Sequence, residues 1–252
     1  MTSTIYVNNA QFIAGTTLKV KDGLEQFNMG LHVAKDASAV IENRKQLAAS
    51  LNCSLNQLVC ANQTHSANFY KVTKEDCGKG VTSLETAIAD TDALYTFEAG
   101  SILTSFSADC VPVVIYSEKD GLAAVVHSGW QGTVKEITFK LLEHLKLVEG
   151  CDVSHMQIVI GTALSQQRFE VDYDVYEKFL QLGYAQSFMY YKEETEKYHI
   201  DNQLVVKQQC LLAGVPDANI TIDPTCTFER ADGFSYRQQR DAGRHCTFIL
   251  KK

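Results

Sequence analysis

The sequence has little proline, no long apolar run and no basic leader. Three prolines in 252 residues, 45% hydrophobic residues and 21% charged residues exclude collagen-like and disordered chains. One of the longest apolar runs, residues 111–116, is far shorter than the roughly 20 residues that span a membrane, so no membrane partner is expected. The N-terminus lacks the basic start and apolar stretch of a secretory signal, which predicts a cytoplasmic protein.

Paired cysteines and excess basic charge are also missing. The eight cysteines include no C-x-x-C pair, which argues against a zinc ribbon, thioredoxin chemistry or a disulfide scaffold. The 23 Lys and Arg residues are outnumbered by 30 Asp and Glu residues, for a net charge of −7. This balance argues against nucleic acid as a partner, because duplex binding usually needs a concentrated basic face.

Short β-branched or aromatic runs alternate with amphipathic segments along the chain, which is typical of a mixed α and β domain. No linker divides the sequence, so we expect one domain over residues 1–252 and, by default, a monomer. Helices are predicted over residues 36–51, from a capping box at 133–136 to Gly150, and over 174–182 and 202–213. Strands are predicted over residues 58–63, 68–72, 93–96, 102–105, 111–116, 122–127, 156–160, 220–222 and 247–250.

Two of these strands flank a five-residue turn segment and predict an antiparallel hairpin centred near Glu118 and Lys119. This register places Cys110 opposite His127, with their Cβ atoms about 5 Å apart. At that separation a thiolate and an imidazole can share one metal ion or one proton. Asp109, beside a strand of buried character, is the kind of costly carboxylate that is usually paired or functional.

A third candidate ligand is His65, which lies in a polar loop at residues 61–68. Two imidazoles and one thiolate form a ligand set that suits zinc and leaves a fourth position for water or substrate. His127 also leads into the glycine-bearing junction at residues 128–132, which can present backbone N–H groups to an anion. An open position predicts a catalytic metal site rather than a structural one.

Several segments carry a family resemblance: Asn62-Gln63-Thr64-His65, Thr91-Asp92-Ala93-Leu94, Ala108-Asp109-Cys110-Val111-Pro112-Val113 and Val126-His127-Ser128-Gly129-Trp130-Gln131-Gly132. In order, they resemble the signature blocks of the YfiH-like family, also called the laccase-domain or multicopper polyphenol oxidase family. The likeness extends over nearly the whole chain. It implies an α+β fold, a single domain of layered helices and mixed β-sheets.

The resemblance also implies a cofactor, usually Zn²⁺ with Cu²⁺ possible, bound by His65, Cys110 and His127. The activity that it implies is that of a purine nucleoside phosphorylase. Family members cleave adenosine, inosine, guanosine and methylthioadenosine with phosphate, and they deaminate adenosine. Purine nucleosides and phosphate are therefore the expected partners.

Four further side chains are candidates for this chemistry. Arg44 or Arg237 would balance the charge of phosphate, because a guanidinium matches its oxygens with parallel hydrogen bonds. Asp92 and Asp109 are the candidates for moving a proton during deamination, in which a metal-bound water loses its proton.

Three motifs depart from the usual family pattern. Gln63-Thr64-His65-Ser66 stands for Q-V-H-G, Gln131 replaces the arginine of G-W-R-G, and Glu229 replaces the second cysteine of C-T-Y-C. The metal ligands are intact. Loss of the loop arginine weakens a phosphate role for that loop, and loss of the second cysteine leaves less reason for redox chemistry at Cys226.

Other functions stay open. Cys110 with His127 could act without metal as a cysteine hydrolase that attacks an acyl or amide carbon. Copper-dependent polyphenol oxidase activity is a less favoured alternative. One cysteine and two histidines make at most one copper site, whereas four-electron reduction of oxygen needs several coppers. A non-enzymatic role as a peptidoglycan editing factor is the third alternative. The remaining histidines are predicted to have no special role: His32, His144, His155, His199 and His245.

Overall fold

A computed structural model describes residues 2–252. Its α-helices are α1 (Ala37–Ser50), α2 (Trp130–Val134), α3 (Ile137–Leu147), α4 (Tyr173–Leu180) and α5 (Asn202–Leu212). Its strands are β1 (Ser3–Asn8), β2 (Phe12–Thr17), β3 (Leu58–Val59), β4 (Phe69–Lys71), β5 (Ala93–Thr96), β6 (Ile102–Ser107), β7 (Val111–Ser117), β8 (Leu122–Ser128), β9 (Gln157–Ile160), β10 (Glu170–Val171), β11 (Met189–Lys192), β12 (Lys197–Ile200), β13 (Ile220–Ile222) and β14 (His245–Lys251). None of the helices in this range has the length and apolar character to cross a membrane.

Two large sheets form the centre of the fold. One has the strand order β1-β2-β14-β6-β3 and the other β13-β9-β7-β8-β5-β4, and both mix parallel with antiparallel pairs. Their facing sides share one buried apolar cluster. Helix α1 covers the outer face of the first sheet, while α3 and α5 cover the outer face of the second. This layered arrangement of helices and mixed sheets agrees with the predicted fold class.

Helix α1 confirms the helix predicted over residues 36–51. Asp36 precedes it in an extended conformation, and its carboxylate accepts a hydrogen bond from the N–H of Ser38. That bond satisfies a donor that the first turn leaves without a partner. The predicted strands 93–96 and 220–222 match the observed bounds of β5 and β13, whereas the strand predicted over 58–63 is confined to the two residues of β3.

The predicted capping box at residues 133–136 is wrong. Helix α2 begins at Trp130, and Glu136 adopts a left-handed conformation, with φ of 62°, that separates α2 from α3. The Thr133 hydroxyl lies 2.8 Å from that of Ser128, and the Glu136 carboxylate accepts a hydrogen bond from the Tyr184 hydroxyl at 3.0 Å. Both side chains therefore contact residues elsewhere in the fold instead of capping a helix.

The predicted hairpin is present, but its register differs by two residues. Pro112, rather than Cys110, lies opposite His127, and Val111 lies opposite Ser128. Because side chains alternate between the faces of a strand with a period of two, a shift of two keeps both residues on the same face. Cys110 therefore lies diagonally from His127 and still approaches it.

A small third sheet, with the order β10-β12-β11, was not predicted. It shares an apolar cluster with α4 and α5 that includes Val171, Phe179 and Ile200, and Trp130 packs against this cluster. The strands are short, and Tyr190 and Tyr191, which are neighbours in β11, are both exposed, so these strands lack a clear alternation of buried and exposed side chains. This sheet and α4 form one wall of the cleft described below.

Candidate metal centre

The structure brings His65, Cys110 and His127 together. One potential ligand atom from each lies within 4.8 Å of the other two. The Cys110 Sγ is 3.8 Å from the His65 Nε2, and the two imidazole rings are 4.9 Å apart, centroid to centroid. His127 comes from β8, Cys110 immediately precedes β7, and His65 comes from the loop between β3 and β4.

A buried carboxylate orients one of these ligands. The Nδ1 of His127 lies 2.8 Å from the Oδ1 of Asp92. Because a carboxylate only accepts hydrogen bonds, Nδ1 carries the proton and Nε2 is the nitrogen available to a metal. Burial lowers the pKa of His127, but the charges of Cys110 and Asp92 outweigh it and leave the pKa raised.

Asp92 also shapes the loop that carries His65. Its carboxylate accepts the backbone N–H groups of Thr64, His65 and Ser66 at 2.7–3.1 Å. His65 has a φ of 58°, a left-handed conformation that is uncommon for a residue with a side chain. The Lys135 ammonium donates to the His65 carbonyl oxygen at 2.6 Å. These contacts hold the loop in the conformation that directs His65 toward Cys110.

Burial opposes ionisation of the Cys110 thiol, but the imidazoles of His127 and His65 outweigh it, so the pKa of Cys110 is lowered. A thiolate between two imidazoles, one of them oriented by a carboxylate, is the type of donor set that binds zinc or copper. The chemistry of these donors fits the implied metal.

Gly129 leaves the space that this arrangement needs. A Cβ atom at this position would lie 2.6 Å from the His65 Cδ2 and 3.0 Å from the Cys110 Sγ. The backbone of Gly129 is extended, with φ of −62° and ψ of 163°, so the requirement for glycine is steric and not conformational. Any larger residue would displace two of the three candidate ligands.

The three ligands line a cleft of about 810 Å³. Protein sites for small molecules are typically of 300–1,000 Å³, so the cleft has room for a drug-sized ligand. Its aromatic lining residues are Phe106, Trp130, Phe169 and Tyr236, its arginines are Arg44, Arg237 and Arg244, and its acidic residues are Asp109, Glu170, Asp172 and Asp174. The cleft therefore joins a metal-binding group to apolar, cationic and anionic surfaces.

Both predicted arginines line the cleft, but their guanidinium groups are already anchored. Arg44 is 1% exposed, and its Nε, Nη1 and Nη2 donate to the carbonyl oxygens of Met29, Gly80 and Val81. These contacts connect α1 to two neighbouring loops. Arg237, which is exposed, donates from Nη1 and Nη2 to the carbonyl oxygens of Arg168 and Glu170.

The two predicted acids lie in different places. Asp92 lies behind His127 with its oxygens engaged by the His65 loop, a placement that suits a positioning role. Asp109 lines the cleft in a left-handed conformation, with φ of 84°. Its carboxylate accepts the Thr227 hydroxyl and the Arg237 N–H, each at 2.6 Å, and so ties two C-terminal loops to the start of β7.

Two residues that line the cleft were not identified from the sequence as candidates for the site. Arg244 immediately precedes β14, and His32, which was predicted to have no special role, lies in a short 3-10 helix, Leu31–Val33. Neither carries a local motif, so only the tertiary fold reveals them. Gln131, at the position where the family pattern has arginine, lies in a neighbouring groove with Lys178 and Gln181.

Layered mixed sheets around a His, Cys, His group define the class: an α+β protein with a candidate metal centre in an open cleft. The family described as multi-copper polyphenol oxidoreductase laccase matches residues 16–252. The chain therefore belongs to this laccase-like family, the YfiH-like family of the sequence motifs.

Individual relatives agree with this assignment. Purine nucleoside phosphorylase YlmD of Geobacillus stearothermophilus is 35% identical over 247 residues, which cover 95% of this chain and 90% of that protein. Adenosine deaminase RL5, from an unknown prokaryotic organism, is 32% identical over 228 residues, which cover 89% of this chain and 87% of that protein. The crystal structure of Bacillus licheniformis YfiH matches with a TM-score of 0.91 at 30% identity, over 98% of this chain and 99% of that one.

Proposed function

We propose that the chain is a metal-dependent purine nucleoside phosphorylase that also deaminates adenosine. The observation that carries this proposal is the convergence of His65, Cys110 and His127 at a cleft of nucleoside dimensions. The names of the relatives support the choice of reaction. We also propose, as the sequence predicts, a cytoplasmic monomer with one domain over residues 1–252.

Zinc is the metal that we propose, because two imidazoles and one thiolate with an open position are typical of catalytic zinc sites. Copper is the second candidate, since imidazole and thiolate also bind it. When bound, the metal would supply a Lewis acid that polarises an oxygen of a substrate or of water. His65, Cys110 and His127 would hold it, and Asp92 would fix the orientation of His127.

The other residues of the cleft would bind and orient the substrates. In phosphorolysis an oxygen of phosphate bonds to C1′ of the sugar as the bond from C1′ to the purine nitrogen breaks, and the base leaves with that electron pair. Trp130 and Phe169 offer apolar ring surface for a purine. Asp109, which lines the cleft, is the better placed of the two predicted acids to move a proton, because Asp92 lies behind His127.

A second candidate function is that of a cysteine hydrolase. It is favoured by the contact of Cys110 with two imidazoles and by the lowered pKa of its thiol. Such an enzyme would keep its activity in the presence of a chelator and lose it to iodoacetamide. A metal-dependent phosphorylase would lose its activity to the chelator and regain it when the metal is restored.

The direct test incubates purified protein with adenosine, with and without phosphate, and separates the products by chromatography. Adenine that forms only with phosphate supports phosphorolysis, and inosine that forms without phosphate supports deamination. Cys110→Ser should abolish both products. Cys53→Ser, at a half-buried cysteine outside the cleft, is the matched control. The proposal would be contradicted if the wild type formed neither adenine nor inosine, or if Cys110→Ser kept full activity.

A further inference from the structure

We propose that Arg244, with the adjacent His32, forms a subsite for inorganic phosphate in the cleft that Cys110 also lines. The choice of phosphate rests on the proposed phosphorylase function. The site itself rests on the geometry and charge of the cleft. Neither Arg244 nor His32 belongs to the motifs that mark the family in this sequence.

The guanidinium of Arg244 is only partly satisfied by the protein. Its Nη1 donates to the carbonyl oxygens of Ala242 and Gly243 at 2.5 and 3.2 Å. Within residues 2–252, Nε and Nη2 make no hydrogen bond to the protein, and no carboxylate lies within ion-pair distance of the group. Arg244 lines the cleft and therefore presents N–H donors there that have no acceptor in the described chain.

The environment of this cation calls for an anion. Burial lowers the pKa of Arg244, and the charge of Asp109 opposes that shift. Arg244 and the three candidate metal ligands line the same cleft. A guanidinium remains charged under these conditions, and Arg244, which is half-buried, has N–H groups free to bind an anion in the cleft. A bound phosphate would accept its free N–H groups and offset its charge.

The neighbouring charges favour the same site. The Arg237 guanidinium is held by two carbonyl oxygens and adds positive charge without a carboxylate partner in the described chain. Of the acidic lining residues, Asp109 already accepts two hydrogen bonds, Asp172 pairs with Lys197, and Glu170 lies 3.4 Å from His199. Asp109 and Asp172 thus have partners of their own, whereas Arg244 has no carboxylate partner in the described chain.

Gly30 provides the room for the Arg244 side chain. A Cβ atom at residue 30 would lie 2.8 Å from the Arg244 Cγ and 3.2 Å from the His32 Cε1. His32 is therefore adjacent to Arg244. Burial and the nearby Arg244 and Arg44 lower the pKa of His32 to about 4, so its ring is neutral at pH 7 and can donate one N–H to a phosphate oxygen.

The test measures the binding of inorganic phosphate to the full chain by calorimetry, without nucleoside. Arg244→Gln should weaken phosphate binding at least about tenfold, the usual effect of losing a charge-assisted contact. Arg240→Gln, at an exposed arginine outside the cleft, is the matched control and should bind as the wild type does. In turnover, Arg244→Gln should raise the KM for phosphate much more than the KM for adenosine.

Two further variants guard against a folding defect. Arg244→Lys keeps the charge and should bind phosphate with intermediate affinity. Gly30→Ala keeps the guanidinium but displaces its stem, and it should also weaken binding, because its extended backbone, with φ of −96°, accepts alanine. Equal phosphate affinity of folded Arg244→Gln and wild type, or no saturable binding by the wild type, would overturn the subsite.

The experiments can overturn the phosphate subsite without contradicting the phosphorylase proposal, and the reverse. If the wild type binds phosphate through Arg244 but releases no adenine from adenosine, the subsite is supported and the phosphorylase proposal is contradicted. If adenine forms with phosphate while Arg244→Gln has an unchanged KM for phosphate, the phosphorylase proposal is supported and the subsite is overturned.

Discussion

The Nδ1 of His127 lies 2.8 Å from the Oδ1 of Asp92, and both side chains are buried. The same carboxylate accepts three N–H groups from the loop of His65. One side chain thus positions two of the three candidate metal ligands. This relationship explains why ligands distant in the sequence converge on one point.

Replacing that carboxylate should weaken metal binding. Asp92→Asn keeps the shape but removes the negative charge behind His127, and the loss of such an outer partner typically costs 10–100-fold in metal affinity. Competition with a coloured zinc chelator measures the change. Asp22→Asn, at an exposed carboxylate outside the cleft, should have no effect. Unchanged zinc affinity of Asp92→Asn would contradict the role of Asp92.

Gly129→Ala should also impair the metal centre, for a steric reason. The added Cβ would lie 2.6 Å from the His65 ring and would separate it from Cys110. Gly23→Ala is a matched control, because Gly23 has a similar extended backbone, with φ of −80° and ψ of 162°, away from the cleft. Zinc content measured after dialysis should fall well below one ion per chain only in Gly129→Ala. Full occupancy in that variant would show that the site can expand.

The thiol of Cys110 should react with iodoacetamide at an unusually low pH in metal-free protein. Its pKa is lowered by the nearby imidazoles, so the reactive thiolate is already present below the pH at which an ordinary thiol ionises. Peptide mass spectrometry of protein alkylated between pH 5 and 9 gives the rate at each cysteine. Burial raises the pKa of Cys210 and Cys246, which should remain unmodified.

Bound zinc should protect Cys110 from alkylation, because its sulfur would then be a ligand. A rate at Cys110 that rises only near pH 9, or that zinc leaves unchanged, would contradict the proposed centre.

Arg44→Met should destabilise the fold and leave phosphate recognition intact. The substitution removes the donors to the carbonyl oxygens of Met29, Gly80 and Val81, and unpaired buried acceptors of this kind should cost about 3 kcal/mol in all. Urea unfolding measures the loss in the free energy of unfolding. Lys45→Met, on the exposed side of the same helix, is the control. A raised KM for phosphate without loss of stability would favour direct substrate binding by Arg44 instead.

The sequence predicted the parts of the fold that local patterns determine. Helix α1 carries its own cap in Asp36, and the apolar runs of β7 and β8 mark the two strands of the hairpin. The register of the hairpin was predicted wrongly by two residues, because the turn closes between Ser117 and Leu122 and is centred one residue later than expected. The capping box failed because Glu136 bonds to the distant Tyr184.

The site was only partly visible in the sequence, for a related reason. His65, Cys110 and His127 stand out by residue type, and motifs surround each of them. Arg244 and His32 have no such signal, since they are distant in the sequence and come together only in the fold, beside Gly30. The buried anchoring of Arg44 was equally hidden, because its carbonyl partners come from separate loops.

The most direct test of the central claim is a titration of metal-free protein with zinc, in which adenine release from adenosine and phosphate is followed at each step. We predict that the rate rises in proportion to added zinc and stops rising at one ion per chain. His65→Ala and His127→Ala should show no such rise, whereas His155→Ala, at a surface histidine, should follow the wild type. Full adenine release by zinc-free protein, or a wild-type titration in His127→Ala, would contradict the account.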